Sequence, residues 1–253
     1  MVAGLSVVII TKNEADNISG VLESVAWADD IVVVDSESTD DTVAIARRYT
    51  DRVFTRAWEG YGAQKNYATG LAAHDWVLSL DADERVPPEL AAEIDEALRR
   101  SPALKGYRIP RTTRYLGRWI RSTDWYPDYQ LRLYDRRVSA WNARFVHESV
   151  TVRGRVGTLS SEIRHYAYDD LSDHLATINH YTTLAARQME AEHRRAGLTD
   201  LIVHPPLVFL RNYLLRRGFR DGGPGLVISL MNAYYVFLKF AKLWEQQRHP
   251  ADQ

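Results

Sequence analysis

The sequence predicts an α/β protein built on a mainly parallel sheet, and three observations carry that prediction. Apolar, β-branched runs at 5–10, 31–34 and 76–80 each stop in polar residues, and apolar residues at helical spacing fill the gaps between them. The runs are too apolar for strands with one wet face, so burial on both faces is expected. The third run enters Asp81-Ala82-Asp83-Glu84 directly, which sets acids at the sheet edge where ligands of open α/β folds collect.

Strand 5–10 is followed by Thr11-Lys12-Asn13-Glu14, and Asp16 or Asn17 can cap a helix that turns Ile18, Val21, Leu22 and Val25 inward. Strand 31–34 ends in Asp35-Ser36-Glu37-Ser38-Thr39, ahead of a helix carrying Val43 and Ile45. A shorter strand at 52–54 and a helix over 64–73 complete the alternation before strand 76–80. Right-handed crossovers put strand-end loops at one edge, so Thr11 to Glu14, Asp35 to Thr39 and Asp81 to Asp83 should share a crevice. Pro87-Pro88 opens a helix with Leu90, Ile94, Ala97 and Leu98 at helical spacing.

Asp81 and Asp83 stand two apart, and at strand spacing they would point the same way. Paired acids repel unless a cation lies between them, and oxygen ligands suit Mg²⁺ or Mn²⁺. An acidic turn solvated ahead of a helix is the plainer alternative. No cysteine is present among the 253 residues, which removes thiolate catalysis, disulfides and cysteine zinc sites. A formal net charge of -1 gives no basic field for nucleic acid, and none is expected as a partner. The opening apolar run is short and meets Thr-Lys-Asn-Glu at once, so no signal peptide is expected.

Beyond residue 100 the pattern changes. Alternating strands at 106–109 and 130–134 flank a loop rich in aromatics and arginine, including Arg111, Arg114, Tyr115, Trp119, Arg121 and Trp125. Such a loop suits sugars or anions, or packs on its own aromatics. A strand at 144–150 carries His147-Glu148, where Glu148 reads as a general base or as a structural acid paired with arginine. His165 sits in a further short strand. One helix is expected over 172–195, and Arg211, Arg216, Arg217 and Arg220 cluster near the end of an apolar stretch. Residues 222–238 hold no charge but fall short of the ~20 needed to span a bilayer. They belong against a membrane surface, in a subunit contact of a homo-oligomer, or in the core. The expected divisions are 1–100, 101–170 and 171–253.

Val7-Val8-Ile9-Ile10-Thr11-Lys12-Asn13-Glu14, Val33-Val34-Asp35-Ser36 and Leu80-Asp81-Ala82-Asp83, in that order, resemble the nucleotide-site motifs of the family 2 glycosyltransferases. The remainder, with His147-Glu148 and Gly218-Phe219-Arg220-Asp221-Gly222, is more loosely similar to the lipopolysaccharide core β-glucosyltransferase branch. The resemblance implies a GT-A fold with a helical C-terminal extension, and inverting, metal-dependent transfer from a nucleotide sugar. It places Thr11, Asn13 and Glu14 at the nucleoside, Asp35 at the uracil N3, and Gln64, Lys65 and Asn66 in a further nucleotide-contacting element. It puts Asp81 near the ribose and metal, Asp83 and His165 on the metal, and Glu148 in the role of base. The Gln-x-x-Arg-Trp motif of processive members does not match Gln130-Leu131-Arg132-Leu133, so single-sugar addition is expected.

The resulting expectation is transfer of one hexose from a UDP-sugar to a saccharide or glycolipid acceptor such as the lipopolysaccharide inner core. The location expected is cytoplasmic, peripheral on the inner face of the membrane. A sugar nucleotidyltransferase is the enzymatic alternative, although Thr-Lys-Asn-Glu offers no glycine for a phosphate loop. A non-catalytic membrane-surface scaffold on a transferase fold is the other.

Overall fold

The computed structural model describes residues 4–100, 103–142, 149–168 and 170–248; His147 and Glu148 therefore lie outside the described residues. The chain forms two compact units, Met1–Arg111 with Asp128–His165, and Thr112–Pro127 with Tyr166–Gln253.

The first unit holds the sheet. Strands β1 (Leu5–Thr11), β2 (Asp30–Asp35), β3 (Val53–Thr55) and β4 (Trp76–Asp81) pair in parallel in the order β3-β2-β1-β4. Helices α1 (Ala15–Ser24), α2 (Thr42–Ala46) and α3 (Tyr61–Leu71) make the crossovers. After β4 come the two-residue strand β5 (Glu84–Arg85) and α4 (Pro88–Arg100).

From there the sheet departs from the parallel pattern. Strands β6 (Leu104–Tyr115), β7 (Arg118–Trp119) and β8 (Asp128–Asp135) follow, and β8 lies antiparallel between β4 and β6. The chain continues through β9 (Ser139–Trp141), β10 (Val150–Val152), β11 (Arg155–Thr158) and β12 (Ile163–His165). Strand β12 pairs antiparallel with β5, directly opposing His165 to Glu84. The sheet is therefore mixed. Its first four strands are parallel, and β8 and β6 extend it antiparallel beyond β4.

Alternation along β1 builds the core on both sides. Val7 and Ile9 pack with Ile18, Leu22, Leu90 and Ile94 of α1 and α4, while Val8 and Ile10 pack with Ala68 of α3 and with Tyr134 and Trp141. All seven residues of β1 are buried, as its unbroken apolar run requires.

Two local expectations fail for tertiary reasons. Neither Asp16 nor Asn17 caps α1. The N–H groups at its start go instead to the next crossover, Ala15 N donating to Asp40 Oδ2 (3.1 Å) in the loop and Glu14 N to Thr42 Oγ1 (2.8 Å) at the first residue of α2. Nor does the backbone stay extended through Asp81–Asp83, because Ala82 and Asp83 form a turn. Arg85 clamps that turn by donating to the carbonyls of Ala82 (2.8 Å) and Asn17 (2.8 Å).

The second unit is largely helical: α5 (Leu171–Ala191), α6 (Leu198–Ile202), α7 (His204–Leu210), a wide turn at Arg211–Leu215, and α8 (Gly222–Arg248). Lys242 of α8 donates to Asn179 Oδ1 (2.9 Å), Thr182 Oγ1 (2.8 Å) and Thr183 Oγ1 (2.7 Å) on α5. Gly225 has a steric reason to be glycine, since a Cβ there would fall 1.9 Å from the Gly218 carbonyl oxygen. The helix continues well past the uncharged stretch 222–238. With Gly218 to Asp221 it spans 31 residues and is long and apolar enough to cross a membrane by length and composition, an 18-residue window within it having a mean hydropathy of 1.4.

His174 is buried against Tyr115, Trp125 and Tyr168, and its Nδ1 shares a 2.7 Å hydrogen bond with the Tyr115 hydroxyl. Burial pushes the His174 imidazole down to about 4. The unfolded chain therefore binds the proton more readily, and the associated stability is complete above about pH 6.5 and drains away as pH falls toward 4. The His174→Gln variant keeps a hydrogen-bonding group without the titration. Urea unfolding across this window should show the wild type losing up to about 3 kcal/mol relative to the variant.

Candidate active site

Register fixes the edge of the site. Thr11 pairs with Asp35 and Ile10 with Asp81, so β1, β2 and β4 end side by side. Their loops are stitched together. Asn13, at φ +53°, accepts the Thr39 N–H on Oδ1 (2.8 Å) and donates its own N–H to Ser38 Oγ (2.8 Å). The Glu14 carboxylate accepts from Asn17 Nδ2 (3.0 Å). Asp35 is buried and accepts from Ser38 N (2.8 Å) and Ser38 Oγ (2.5 Å). A carboxylate offers about four acceptor positions, so further ones remain for a ligand N–H.

Three consecutive residues of α3 serve three different neighbours. Gln64 is fully buried and donates from Nε2 to Ser36 Oγ (2.8 Å) and the Arg56 carbonyl (3.2 Å). Lys65, 2% exposed, reaches Asp81 Oδ1 at 3.0 Å and stands 4.6 Å above the Trp141 ring. Asn66 holds the Trp141 backbone at both groups, donating to its carbonyl (2.9 Å) and accepting its N–H (2.9 Å). Its amide thus anchors β9.

A buried ionic chain runs behind Asp81. Arg132 of β8 donates to Asp81 Oδ2 (2.5 Å) and Glu84 Oε1 (2.8 Å), and Arg111 of β6 reaches Glu84 Oε1 (3.0 Å) and Asp128 Oδ2 (2.7 Å). Glu84 is wholly inaccessible and also accepts the Asp81 N–H (3.0 Å). Burial alone would raise the Asp81 carboxyl, but Arg132 and Lys65 outweigh it and hold Asp81 far below the usual carboxylate range. Burial likewise opposes charge on Arg132, and Asp81 with Glu84 overcomes it, so the guanidinium is held more firmly protonated than usual.

Asp83 takes the other side of the turn. Its Oδ2 lies 3.1 Å from His165 Nε2, an arrangement produced by the β5–β12 pairing. Its Oδ1 is shut off from solvent and has no hydrogen-bond partner among the described residues. An orphaned carboxylate oxygen beside an imidazole fits a divalent cation whose other positions are filled by water and phosphate, the habit of Mg²⁺ and Mn²⁺. No cluster of three or more acidic or histidine ligands occurs among the described residues. Such an ion would therefore rest on this pair and on the ligand.

Orphaned polar atoms concentrate here. Thr11 Oγ1, Gln64 Oε1, Asp83 Oδ1 and Arg132 Nε are buried without partners among the described residues, and only Gln246 Oε1 joins them from elsewhere. Buried polar atoms are ordinarily satisfied, so the strand edge is prepared for something that completes it. Sequence reasoning assigned no site role to Glu84, Arg132 and Trp141, and placed Arg111 only in the aromatic loop. The available signal was Arg132 itself, a charge between two leucines in a strand that must be partly buried.

Comparison with known proteins agrees with this geometry. Residues 6–155 match the family described as Glycosyl transferase family 2. The chain is 31% identical over 252 residues to the lipopolysaccharide core biosynthesis glycosyltransferase LpsC of Rhizobium meliloti, covering 97% of this chain and 93% of that one. It is 30% identical over 262 residues to an uncharacterized glycosyltransferase of Rickettsia felis, covering 95% and 89%. In fold it is similar to the mannosyltransferase PcManGT of Pyrobaculum calidifontis, solved with GDP-Man and Mn²⁺, at a TM-score of 0.56 and 14% identity over 96% of this chain and 88% of that one. The mixed sheet with its helical C-terminal extension is thus a GT-A fold, and the chain belongs to the family 2 glycosyltransferases.

Proposed function

We propose that this glycosyltransferase moves one hexose, with inversion, from a nucleoside diphosphate sugar to a saccharide acceptor carried on a lipid. The observation that carries the reading is the group of orphaned buried polar atoms at the joined ends of β1 and β4 and on the neighbouring α3 and β8. Thr11, Asp35 and Gln64 offer a hydroxyl, a carboxylate and an amide oxygen to a nucleoside, and Asp35 is suited to accept the N3–H of uracil, which favours a UDP donor. Asn13 and Glu14 shape that pocket from the first loop. Asn66 acts at one remove, by fixing β9.

Asp83 and His165 would hold the divalent cation, Mn²⁺ or Mg²⁺, which when bound offsets charge developing on the departing diphosphate. Asp81 is already engaged by Lys65 and Arg132, so its part is to orient the ribose side of the donor and to keep Lys65 in place. The base assigned is Glu148, from its motif. The described residues on either side of it are joined, Asn142 N donating to Ser149 O (3.1 Å), next to Trp141, whose ring covers Lys65. Glu148 would accept the acceptor hydroxyl proton as that oxygen attacks C1 and the C1–O bond to the diphosphate breaks, its electron pair leaving with the nucleotide. One displacement with one base inverts the anomeric centre. The likeness to LpsC, named for lipopolysaccharide core biosynthesis, supports a glycolipid acceptor met at the inner face of the cytoplasmic membrane.

A screen of UDP- and GDP-hexoses for Mn²⁺-dependent donor hydrolysis tests the reading directly, and no turnover of any donor would overturn it. In calorimetry, Asp83→Ala should abolish the metal-dependent part of UDP binding while leaving the metal-free part. Retention of full metal dependence would move the cation elsewhere.

Glu148→Gln should lower kcat by about 10²–10⁴ with donor affinity near normal, as expected when a base is removed and shape is kept. Single-turnover assays with acceptor would show it.

Glu84→Gln leaves Arg132 and Arg111 without their shared charge, at a fold cost of about 3–5 kcal/mol. Because the Asp83 turn hangs from Glu84, Mn²⁺-dependent UDP affinity should fall further than metal-free affinity. Equal losses would reduce Glu84 to a purely structural role.

A further inference from the structure

The second unit carries a surface that the transfer chemistry does not use. Helix α7 and the turn after it leave Leu207 (55% exposed), Leu210 (46%), Leu214 (52%) and Leu215 (79%) facing outward. Leu207, Leu210 and Leu214 follow i, i+3, i+7 spacing and share one side of the helical run. Phe219, half exposed, joins them, its ring edge-on to Tyr213 at 6.3 Å. Singly exposed leucines are ordinary, but a continuous set of this size on a water-soluble surface is not.

The charge that this stretch of sequence itself supplies is of one sign. Residues 203–220 contain four arginines and no aspartate or glutamate. Two of the four are not free to recruit a partner. Arg211 pairs with Asp124 Oδ2, and Arg216 lies 3.6 Å from Asp124 Oδ1. Asp221, the next acid in sequence, is buried and accepts from Arg121 N (3.0 Å) and Ser122 Oγ. Arg217 and Arg220 remain exposed, with no carboxylate partner among the described residues. Arg217 is held at φ +57° at the corner between the apolar turn and the Gly218 element.

We infer that α7, the Arg211–Leu215 turn and Phe219 form a docking surface for an anionic phospholipid bilayer, with the leucines in the acyl boundary and Arg217 and Arg220 on headgroup phosphates. A second copy is the poorer occupant, because a two-fold contact would set these arginines against themselves. A bilayer satisfies both halves of the surface at once, taking apolar side chains below a negatively charged plane. This deepens the lipid-borne acceptor reading without depending on donor chemistry. α8 contributes packing against α5 and α7, and the surface lies on the shorter elements before it.

The experiment is flotation of the full chain with phosphatidylcholine vesicles, with and without phosphatidylglycerol, in the absence of donor and acceptor. Wild type should bind only the anionic vesicles and should be released by high salt or alkaline carbonate. Arg217→Gln with Arg220→Gln should weaken binding about twenty-five-fold, at about five-fold per basic residue. Leu214→Ser with Leu215→Ser, both at exposed positions, should weaken it by about ten-fold or more. Hydrolysis of the donor by water should be unchanged in both variants, which separates this inference from the proposed transfer. Absence of wild-type binding at low salt, binding unaffected by either pair, or retention through alkaline carbonate would each overturn it. So would a dimer in light scattering that only the leucine pair dissociates while vesicle binding persists.

Discussion

Asp81 and Glu84, three residues apart across a tight turn, share one buried guanidinium, and the shape of the site follows from that shared charge. Two carboxylates this close repel strongly in a weakly polar interior, and Arg132 between them converts the repulsion into a fixed spacing. Lys65 and Arg111 extend the chain on either side to give three cations and three anions with Asp128. Burying such a chain costs about as much in lost hydration as the pairings return, so its value lies in geometry. It sets the turn, the turn sets Asp83, and the Glu84–His165 pairing brings the imidazole to it.

The strand ends were legible because chemistry and topology agreed there. Apolar runs that stop abruptly in Thr11, Asp35 and Asp81 can only be buried parallel strands, and parallel strands with right-handed crossovers have one ligand edge. What could not be read were partners distant in sequence. Arg132 meets Asp81 from 51 positions away and Arg111 meets Glu84 from 27, through antiparallel strands whose place in the sheet no local pattern announces. The cap of α1 was misjudged for the same reason: Asp40 supplies it from the following loop. Strand spacing suggested that Asp81 and Asp83 act as a pair. The turn gives each its own neighbours, and Glu148 lies outside the described residues.

The second unit shows the same limit on the basic side. Four arginines close in sequence read as one cluster, yet Asp124, nearly ninety positions earlier by the 87-residue separation from Arg211, neutralises part of it. The Gly218-Phe219-Arg220-Asp221-Gly222 element has a structural explanation in this unit. Gly225 lets α8 approach the Gly218 carbonyl, Gly218 leaves room for Ser229 of α8, and Asp221 gathers the 118–122 segment through its carboxylate. The motif is a joint of the helical unit.

Asn66 has an implication for protein engineering. Its amide copies the hydrogen-bonding face of a neighbouring strand, donating to and accepting from a single residue of β9, one helical step from Gln64 and Lys65. The helix that carries Gln64 and Lys65 is thereby keyed to the strand that precedes residues 143–148. Chimaeras that graft the first hundred residues of one family member onto the remainder of another would break this key unless the asparagine and the backbone it grips travel together. The natural cut for exchanging donor preference lies outside the interval from α3 to β9.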